Sequence, residues 1–296
     1  MTLTTFPFSL MVGLAMLVIG ALTVTGAVAS EAIRAETDLF AVAPTGTAPP
    51  VAAEAYVVLD AETGLPLAMV DADERRPVGS LAKLMTAHLA LEAGGPDEGV
   101  TVPALDVAGD ESQVGLVPGE VQRRDTLVAA TLVASGNDAA RTLAVDLAGD
   151  EARFVEMMNA AAAALGLDDT HYADPSGLDD EGQWSTARDV AVLADRLMDD
   201  PGFRSVVDDR SVTVDARELP ATNDLLGSYL GADGVKTGHT EEAGWCIAAS
   251  ATREGRRVIV VVLGTPTEEA RDAAATALLD WAFGSASHVT TAGARG

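Results

Sequence analysis

The sequence predicts an α/β protein in which helices pack on an antiparallel sheet whose first and last strands are neighbours. Two observations predict it. The globular part opens and closes with pairs of apolar strands, and the long stretch between them repeats its apolar residues at helical spacing. A doubly wound parallel sheet would alternate strand and helix along the chain, and this order does not.

Length and composition set the frame. A chain of 296 residues allows one or two domains, and 48% apolar residues suffice for a sizeable core. With 45 acidic and 19 basic residues the net charge is −26, which excludes a nucleic-acid partner, since phosphate binding needs clustered cations. A single cysteine, Cys246, excludes an internal disulfide framework and a cysteine-based zinc site. The histidines, at 88, 171, 239 and 288, show no His-x-x-x-His spacing, so no metal or other cofactor is expected.

Residues 1–30 carry no charge, and Phe6–Val28 is long enough to cross a ~30 Å hydrocarbon core as a helix. Ala27-Val28-Ala29 offers a small-x-small cleavage site for a secretory signal. The absence of Lys and Arg before the apolar run, and its length beyond the usual ~7–15 residues, favour an uncleaved anchor. Either way the rest of the chain lies outside the cytoplasm. Residues 31–53, ending in a Pro-, Ala- and Thr-rich run, read as a linker, 54–284 as the folded domain and 285–296 as a disordered tail.

Within the domain, residues 56–59 and 67–70 flank Glu62-Thr63-Gly64 as a first hairpin. A helix follows Ser80, because Leu81, Leu84, Met85, His88, Leu89 and Leu91 recur along one face. Further helices fit 121–134, 138–148, 151–165, 186–199 and 267–283. Residues 246–251 and 258–263 form a closing hairpin around Arg253-Glu254-Gly255-Arg256. The three tryptophans, 184, 245 and 281, are expected to pack in the core or on the sheet, Cys246 as a small buried hydrophobe, and His88 and His171 as structural residues.

Among the 19 basic residues only two, Lys83 and Lys236, are lysines. Arginine replaces lysine wherever only charge matters, but not where an amine must lose its proton. Lys83 stands in Ser80-Leu81-Ala82-Lys83, where i and i+3 share a helix face, so the amine reaches the hydroxyl. At a helix start, Ser80 also has backbone N–H groups facing a developing anion. Lys236 stands in Gly234-Val235-Lys236-Thr237-Gly238-His239, a strand on which a ligand can lie close to the backbone with its carboxylate on the cation. Between them Ser135-Gly136-Asn137 presents a hydroxyl and an amide from a turn between two helices. Taken singly, these are an N-cap with a solvated lysine, a strand lysine and an ordinary turn.

Taken together, Ser-x-x-Lys, Ser-x-Asn and Lys-Thr-Gly occur in that order with both lysines in required positions. The chain resembles the serine D-alanyl-D-alanine carboxypeptidases, the low-molecular-mass penicillin-binding proteins, over roughly 54–284. Arg75 to Thr86, Ala164 to Leu167, Pro175 to Leu178, Ser185 to Asp189 and Lys236 to Gly244 share in the resemblance. Many members have a further β-rich domain after the catalytic one, and this sequence stops at the last helix.

The resemblance implies a β-lactamase/transpeptidase-like fold, an antiparallel sheet of about five strands with an all-helical insert. It implies that Ser80 is acylated by the penultimate D-Ala of a peptidoglycan stem peptide and that Lys83 takes its proton. Ser135 would relay a proton to the leaving D-Ala, and Asn137 would hold Lys83 and the substrate amide. Lys236, Thr237 and Arg271 would meet the terminal carboxylate, with Gly238 beside them, and the Ser80 and His239 amides would form the oxyanion hole. β-Lactams would be covalent inhibitors. A neighbouring cation at Lys236 is expected to lower the pKa of Lys83, since an ordinary lysine near ~10.4 is a poor base.

Three other readings use the same motifs. A peptidoglycan endopeptidase differs in substrate alone. A class A β-lactamase would add a Glu-x-x-Leu-Asn segment, and residues 168–180 have none. A non-catalytic wall-binding or β-lactam-sensing domain would need the nucleophile machinery to be vestigial.

A surface this acidic and nearly free of lysine suits high salt, where screening over ~3 Å relieves self-repulsion. The melting temperature should therefore rise between low and molar salt, by ~2–4 °C for each kcal/mol gained. A flat melting temperature across that range would reduce the acidity to compositional bias.

Overall fold

The computed structural model describes residues 47–289 apart from 107, 108 and 110, and side chains as far as 284. The expected signal or anchor at 1–30 therefore lies outside the described residues. Among the described residues no helix is long and apolar enough to cross a membrane.

The two expected hairpins form and join edge to edge. Strands β1 (Ala55–Asp60) and β2 (Leu65–Val70) pair around a turn in which the Asp60 carboxylate accepts from the Glu62 and Thr63 amides at 3.2 Å. Two short hairpins follow in the insert, β3 (Gly99–Thr101) with β4 (Val121–Arg123) and β5 (Ser211–Val214) with β6 (Arg217–Pro220). The chain returns to the main sheet with β7 (Ala232–Thr240), β8 (Gly244–Arg253) and β9 (Arg256–Thr265). The five strands are antiparallel in the order β2-β1-β9-β8-β7, so first and last strands meet, Ala55 opposite Leu263 and Asp60 opposite Val258.

All six residues of β1, and 258–263 of β9, are buried, which explains why they read as continuous apolar runs rather than alternating ones. Both faces of the sheet are covered. On one face Ala274, Ala275, Leu278, Leu279 and Ala282 of the closing helix meet Val258, Val260 and Val262. Helix Ala187–Met198 packs on β1 and β9 as well.

The insert is helical: α1 (Lys83–Ala93), α2 (Arg124–Leu132), α3 (Asn137–Ala148), α4 (Glu151–Ala164), α5 (Ala187–Met198) and α6 (Pro201–Val207), with α7 (Glu268–Val289) closing the chain on the sheet. Helix α1 is apolar on nearly every side because α2, α3, α4 and α5 all pack on it. Helices α4 and α5 begin where Asp150 and Thr186 cap the amides of Arg153 and Asp189.

Several boundaries differ from the sequence reading. The helix expected over 121–134 loses its first three residues to β4, whose pairing with β3 takes their backbone groups. Helix α7 continues to Val289, past the expected start of the tail. Ala48, Val51 and Ala53, compositionally part of the linker, pack against the core.

One close approach fixes the insert against the sheet junction. Gly177 has φ +89°, and a Cβ there would lie 2.1 Å from the Gly79 carbonyl oxygen, one residue from Ser80. Gly177→Ala combines a left-handed backbone with a backbone clash, together a loss on the order of 2 kcal/mol. The variant should melt roughly 4–8 °C lower in a thermal scan. An unchanged melting temperature would show that the 174–178 loop is free to move away.

Candidate active site

Ser80 is the second residue of a 3₁₀ turn, Gly79–Ala82, that runs directly into α1 at Lys83. The turn places the two side chains on one face, and Lys83 is wholly buried there. Its Nζ lies 2.8 Å from Ser80 Oγ, 2.7 Å from Asn137 Oδ1 and 2.6 Å from the carbonyl oxygen of Ser176. Burial pushes the Lys83 pKa down to about 7, against the pull of Asp174, Glu111 and Asp138. A neutral amine has two N–H bonds and one lone pair. Asn137 Oδ1 and the Ser176 carbonyl can only accept, so both N–H bonds go to them and the lone pair falls to the Ser80 hydroxyl. The arrangement is a base aimed at a nucleophile.

Ser176 is a partner that sequence reasoning did not single out. A backbone carbonyl leaves no mark in composition, and the surrounding Pro-Ser-Gly-Leu entered only through the family resemblance. The Asp174 carboxylate holds this loop by accepting from the Ser176 amide and hydroxyl at 2.7 and 2.6 Å and from the Gly177 amide at 2.7 Å. Thr86, one turn along α1 from Lys83, donates to the Pro175 carbonyl at 2.6 Å.

Ser135 occupies the turn between α2 and α3 with φ +61°, a conformation that costs a residue with a side chain on the order of 1–3 kcal/mol. The turn points its hydroxyl at Lys236, whose Nζ lies 2.8 Å away and also reaches the Thr237 carbonyl at 2.8 Å. Lys236 is buried, and its pKa is far below the usual lysine range, first through burial and then through the positive charges of Lys83 and Arg271. The expected effect of one cation on the other thus falls on Lys236. For Lys83 the chief cause is burial.

Glycine lets β7 lie against the Ser80 turn. A Cβ on Gly238 would sit 2.8 Å from the Val78 carbonyl oxygen and 3.1 Å from the Ser80 nitrogen. Reciprocally, a Cβ on Gly79 would sit 3.1 Å from the His239 nitrogen. The Ser80 and His239 amides therefore share one end of the cleft. Thr237 donates its hydroxyl to Thr222 Oγ1 at 2.6 Å, a second partner that no sequence signal marked.

Arg271, 1% exposed, pairs with both Asp272 at 2.8 Å and Glu268 at 3.2 Å, and its guanidinium carbon lies 5.6 Å from the centre of the Trp245 ring. Trp245 is not a core aromatic. It is half-buried, its ring tilted by 33° against that of His239 at 4.1 Å between ring centres, and it borders the cleft. Trp184 is likewise half-buried, under His171, whereas Cys246 is buried as expected with its thiol pushed up to about 12. Ser80, Ser135, Asn137, Thr237, Gly238, His239 and Arg271 all line one cavity of about 730 Å³, with Lys83 and Lys236 buried beside it. Among the described residues no group of three or more His, Cys, Asp and Glu side chains is placed to hold a metal ion.

A five-stranded antiparallel sheet with a helical insert, and a Ser–Lys pair at their junction, is the architecture of the penicillin-binding, transpeptidase-like proteins. The model of the D-alanyl-D-alanine carboxypeptidase family matches residues 42–267, and the chain belongs to that family. It is 37% identical over 243 residues to D-alanyl-D-alanine carboxypeptidase DacF of Bacillus subtilis, a match covering 78% of this chain and 62% of that protein. The crystal structure of a Streptomyces DD-transpeptidase aligns with TM-score 0.77 at 33% identity, over 81% of this chain and 100% of that one. A penicillin-binding protein of Listeria monocytogenes in its ampicillin-bound form aligns with TM-score 0.73 at 36% identity, over 80% and 100%. The chain thus spans under two thirds, 62%, of the Bacillus relative and of an Escherichia coli one.

With two lysines in the chain, carbon-13 labelling at the lysine ε position yields two side-chain resonances, assignable by Lys236→Arg. In a pH titration the Lys83 signal should show a midpoint near 7 and the Lys236 signal one well below the ordinary lysine value. Both titrating near ~10.4 would mean that neither amine is desolvated in solution.

Proposed function

We propose that the protein is a serine DD-carboxypeptidase that removes the terminal D-Ala from peptidoglycan stem peptides through an acyl-enzyme on Ser80. What supports this most directly is the buried Lys83 amine, its pKa lowered to about 7, 2.8 Å from Ser80 Oγ. In the proposed reaction Ser80 Oγ attacks the carbonyl carbon of the penultimate D-Ala and its proton passes to Lys83. The Ser80 and His239 backbone N–H groups receive the developing oxyanion. The proton then reaches the nitrogen of the leaving D-Ala through the Ser135 hydroxyl, and the C–N bond breaks. Water takes the place of D-Ala, gives a proton to Lys83 and adds to the ester carbon. The bond to Ser80 Oγ breaks, and the serine recovers its proton from Lys83.

Lys236, Thr237 and Arg271 meet the terminal carboxylate in this scheme. Asn137 keeps Lys83 in place with its oxygen and offers one amide N–H to the substrate amide. Residues 54–284 form the catalytic domain, working outside the cytoplasmic membrane, with 31–53 as linker and 1–30 as signal peptide or anchor. The family membership and the ampicillin-bound Listeria structure support a D-Ala-D-Ala substrate and β-lactam inhibition.

A β-lactam differs from the peptide because its leaving amine stays tethered and obstructs the hydrolytic water. Penicillin should therefore add covalently to Ser80, and the adduct should turn over slowly, as followed by intact-mass spectrometry. Ser80→Ala should abolish the adduct, and Lys83→Arg should slow its formation on the order of 10²–10⁴-fold, because a guanidinium stays protonated. Free D-Ala released from a pentapeptide, with a cross-linked dimer left uncleaved, would separate carboxypeptidase from endopeptidase. A wild-type protein that takes no adduct, or turns the drug over rapidly, would overturn the proposal.

A further inference from the structure

Glu111 borders the catalytic cavity and belongs to none of the three motifs. It lies in the segment before α2, and two groups of α3 pin that segment just beyond it. The Asp138 carboxylate accepts from the amides of Val114 at 3.0 Å, Gly115 at 2.8 Å and Leu116 at 2.9 Å. The backbone N–H of Asn137 donates to the Ser112 carbonyl at 2.8 Å. Glu111 is thereby held beside the Asn137 side chain and accepts from its Nδ2 at 2.8 Å.

This contact decides something that Asn137 cannot decide alone. A primary amide is nearly symmetrical in shape, and a half-turn would exchange its oxygen for its NH₂. An ionised carboxylate only accepts hydrogen bonds, so the NH₂ must face Glu111 and the oxygen must face Lys83. Reversed, the amide would offer Lys83 a donor, and the amine's lone pair would be drawn to Asn137 instead of Ser80.

We propose that Glu111 is a positioning residue: its carboxylate fixes the orientation of the Asn137 amide and, through it, the direction in which Lys83 presents its lone pair to Ser80. The inference rests on the acyl-enzyme reading above. Glu111 acts on Lys83 in a second way, as one of the charges around it. Lys83 is faced by Lys236 from β7, by Asp174 from the 174–178 loop, by Asp138 from α3 and by Glu111, with Arg271 of α7 beyond Lys236. Removing one carboxylate from this set favours the neutral amine and shifts its titration to lower pH.

The two effects separate in two variants. Glu111→Gln loses the charge but can still accept from Nδ2 through its amide oxygen, whereas Glu111→Ala loses both. The second-order rate of penicillin acylation, followed by intact mass across pH, should rise through a midpoint near 7 in the wild type. In Glu111→Ala the high-pH plateau should fall about tenfold or more, the scale expected for losing a charge-assisted hydrogen bond. In Glu111→Gln the plateau should largely recover while the midpoint moves to lower pH. The proposal is overturned if the alanine variant acylates like the wild type, if the glutamine variant falls as far as the alanine, or if its midpoint does not move. A wild type that takes no adduct would sink the acyl-enzyme reading instead. The lysine titration then reads Glu111 independently: a lower Lys83 midpoint in Glu111→Gln supports the electrostatic part, and an unmoved one overturns it.

Discussion

An amine with no exposed surface must find its hydrogen-bond partners in the protein, and much of this structure follows from satisfying one such amine, Lys83. Its partners come from three separate stretches of chain: Ser80 in the 3₁₀ turn, Asn137 at the start of α3, and the Ser176 carbonyl in the 174–178 loop. Two of them are held by identifiable devices. The Asp174 carboxylate gathers the loop, Thr86 ties it to α1, and Asp138 anchors the segment beside Asn137. Glycines at 177 and 238 allow backbones to approach at distances a Cβ would forbid, and Gly79 leaves room for a tight one. The 3₁₀ turn, the start of α3 and the 174–178 loop meet at this amine.

The electrostatics of the site is a balance between burial and nearby carboxylates. Burial alone drives Lys83 towards the neutral form, and Asp174, Glu111 and Asp138 limit how far it goes. The outcome, near neutrality, is where a base can both accept and return a proton. Elsewhere the chain uses arginine for charge. Arg124 pairs with Glu98 and Asp146, Arg256 with Asp60, and Arg257 with Asp233. A guanidinium does not give up its proton under such conditions, so it serves in ion pairs and cannot replace either amine. The scarcity of lysine and the chemistry of the cleft are thus one fact seen at two scales.

That correspondence made the centre of the site legible in the sequence. Ser80, Lys83, Ser135 and Lys236 stand in short motifs whose spacing maps directly onto contacts, and the central strands β1, β8 and β9 stand out through continuous, mostly apolar runs. Other parts leave weaker signals. Ser176 contributes a backbone carbonyl, which has no residue type. Thr222 and Glu111 reach the site from loops, through pairings set by the tertiary fold. Strand β4 was hidden because three residues are too few for period 2 to compete with the helical pattern that follows. Trp245 directly precedes the unbroken buried run Cys246–Ala251 and, to sequence reasoning, looks like its first member, but it lies at the open start of β8, beside the cleft.

The cleft has a closed floor and an open mouth, and the difference has a structural origin. Lys236 bonds Ser135 across the junction between sheet and insert, and Lys83 bonds Asn137 and Ser176 within the insert. These links connect strand, turn, helix and loop through two buried amines. Above them lies the cavity, bordered by the β7 edge on one side and the 111–112 and 176–179 segments on the other. Strand β7 is an edge strand of the sheet, so among the described residues its far side has no strand neighbour to occupy its backbone groups. In the proposed reaction an extended peptide would pair there as a further strand, with its acyl carbon brought to Ser80. The left-handed Ser135 sits where floor meets mouth, its strained turn held by the Gly136 amide on the Ala130 carbonyl and the Asn137 amide on Ser112. From this left-handed turn the Ser135 hydroxyl meets Lys236 Nζ at 2.8 Å while the residue borders the cavity, so one side chain connects the buried amine to the open site.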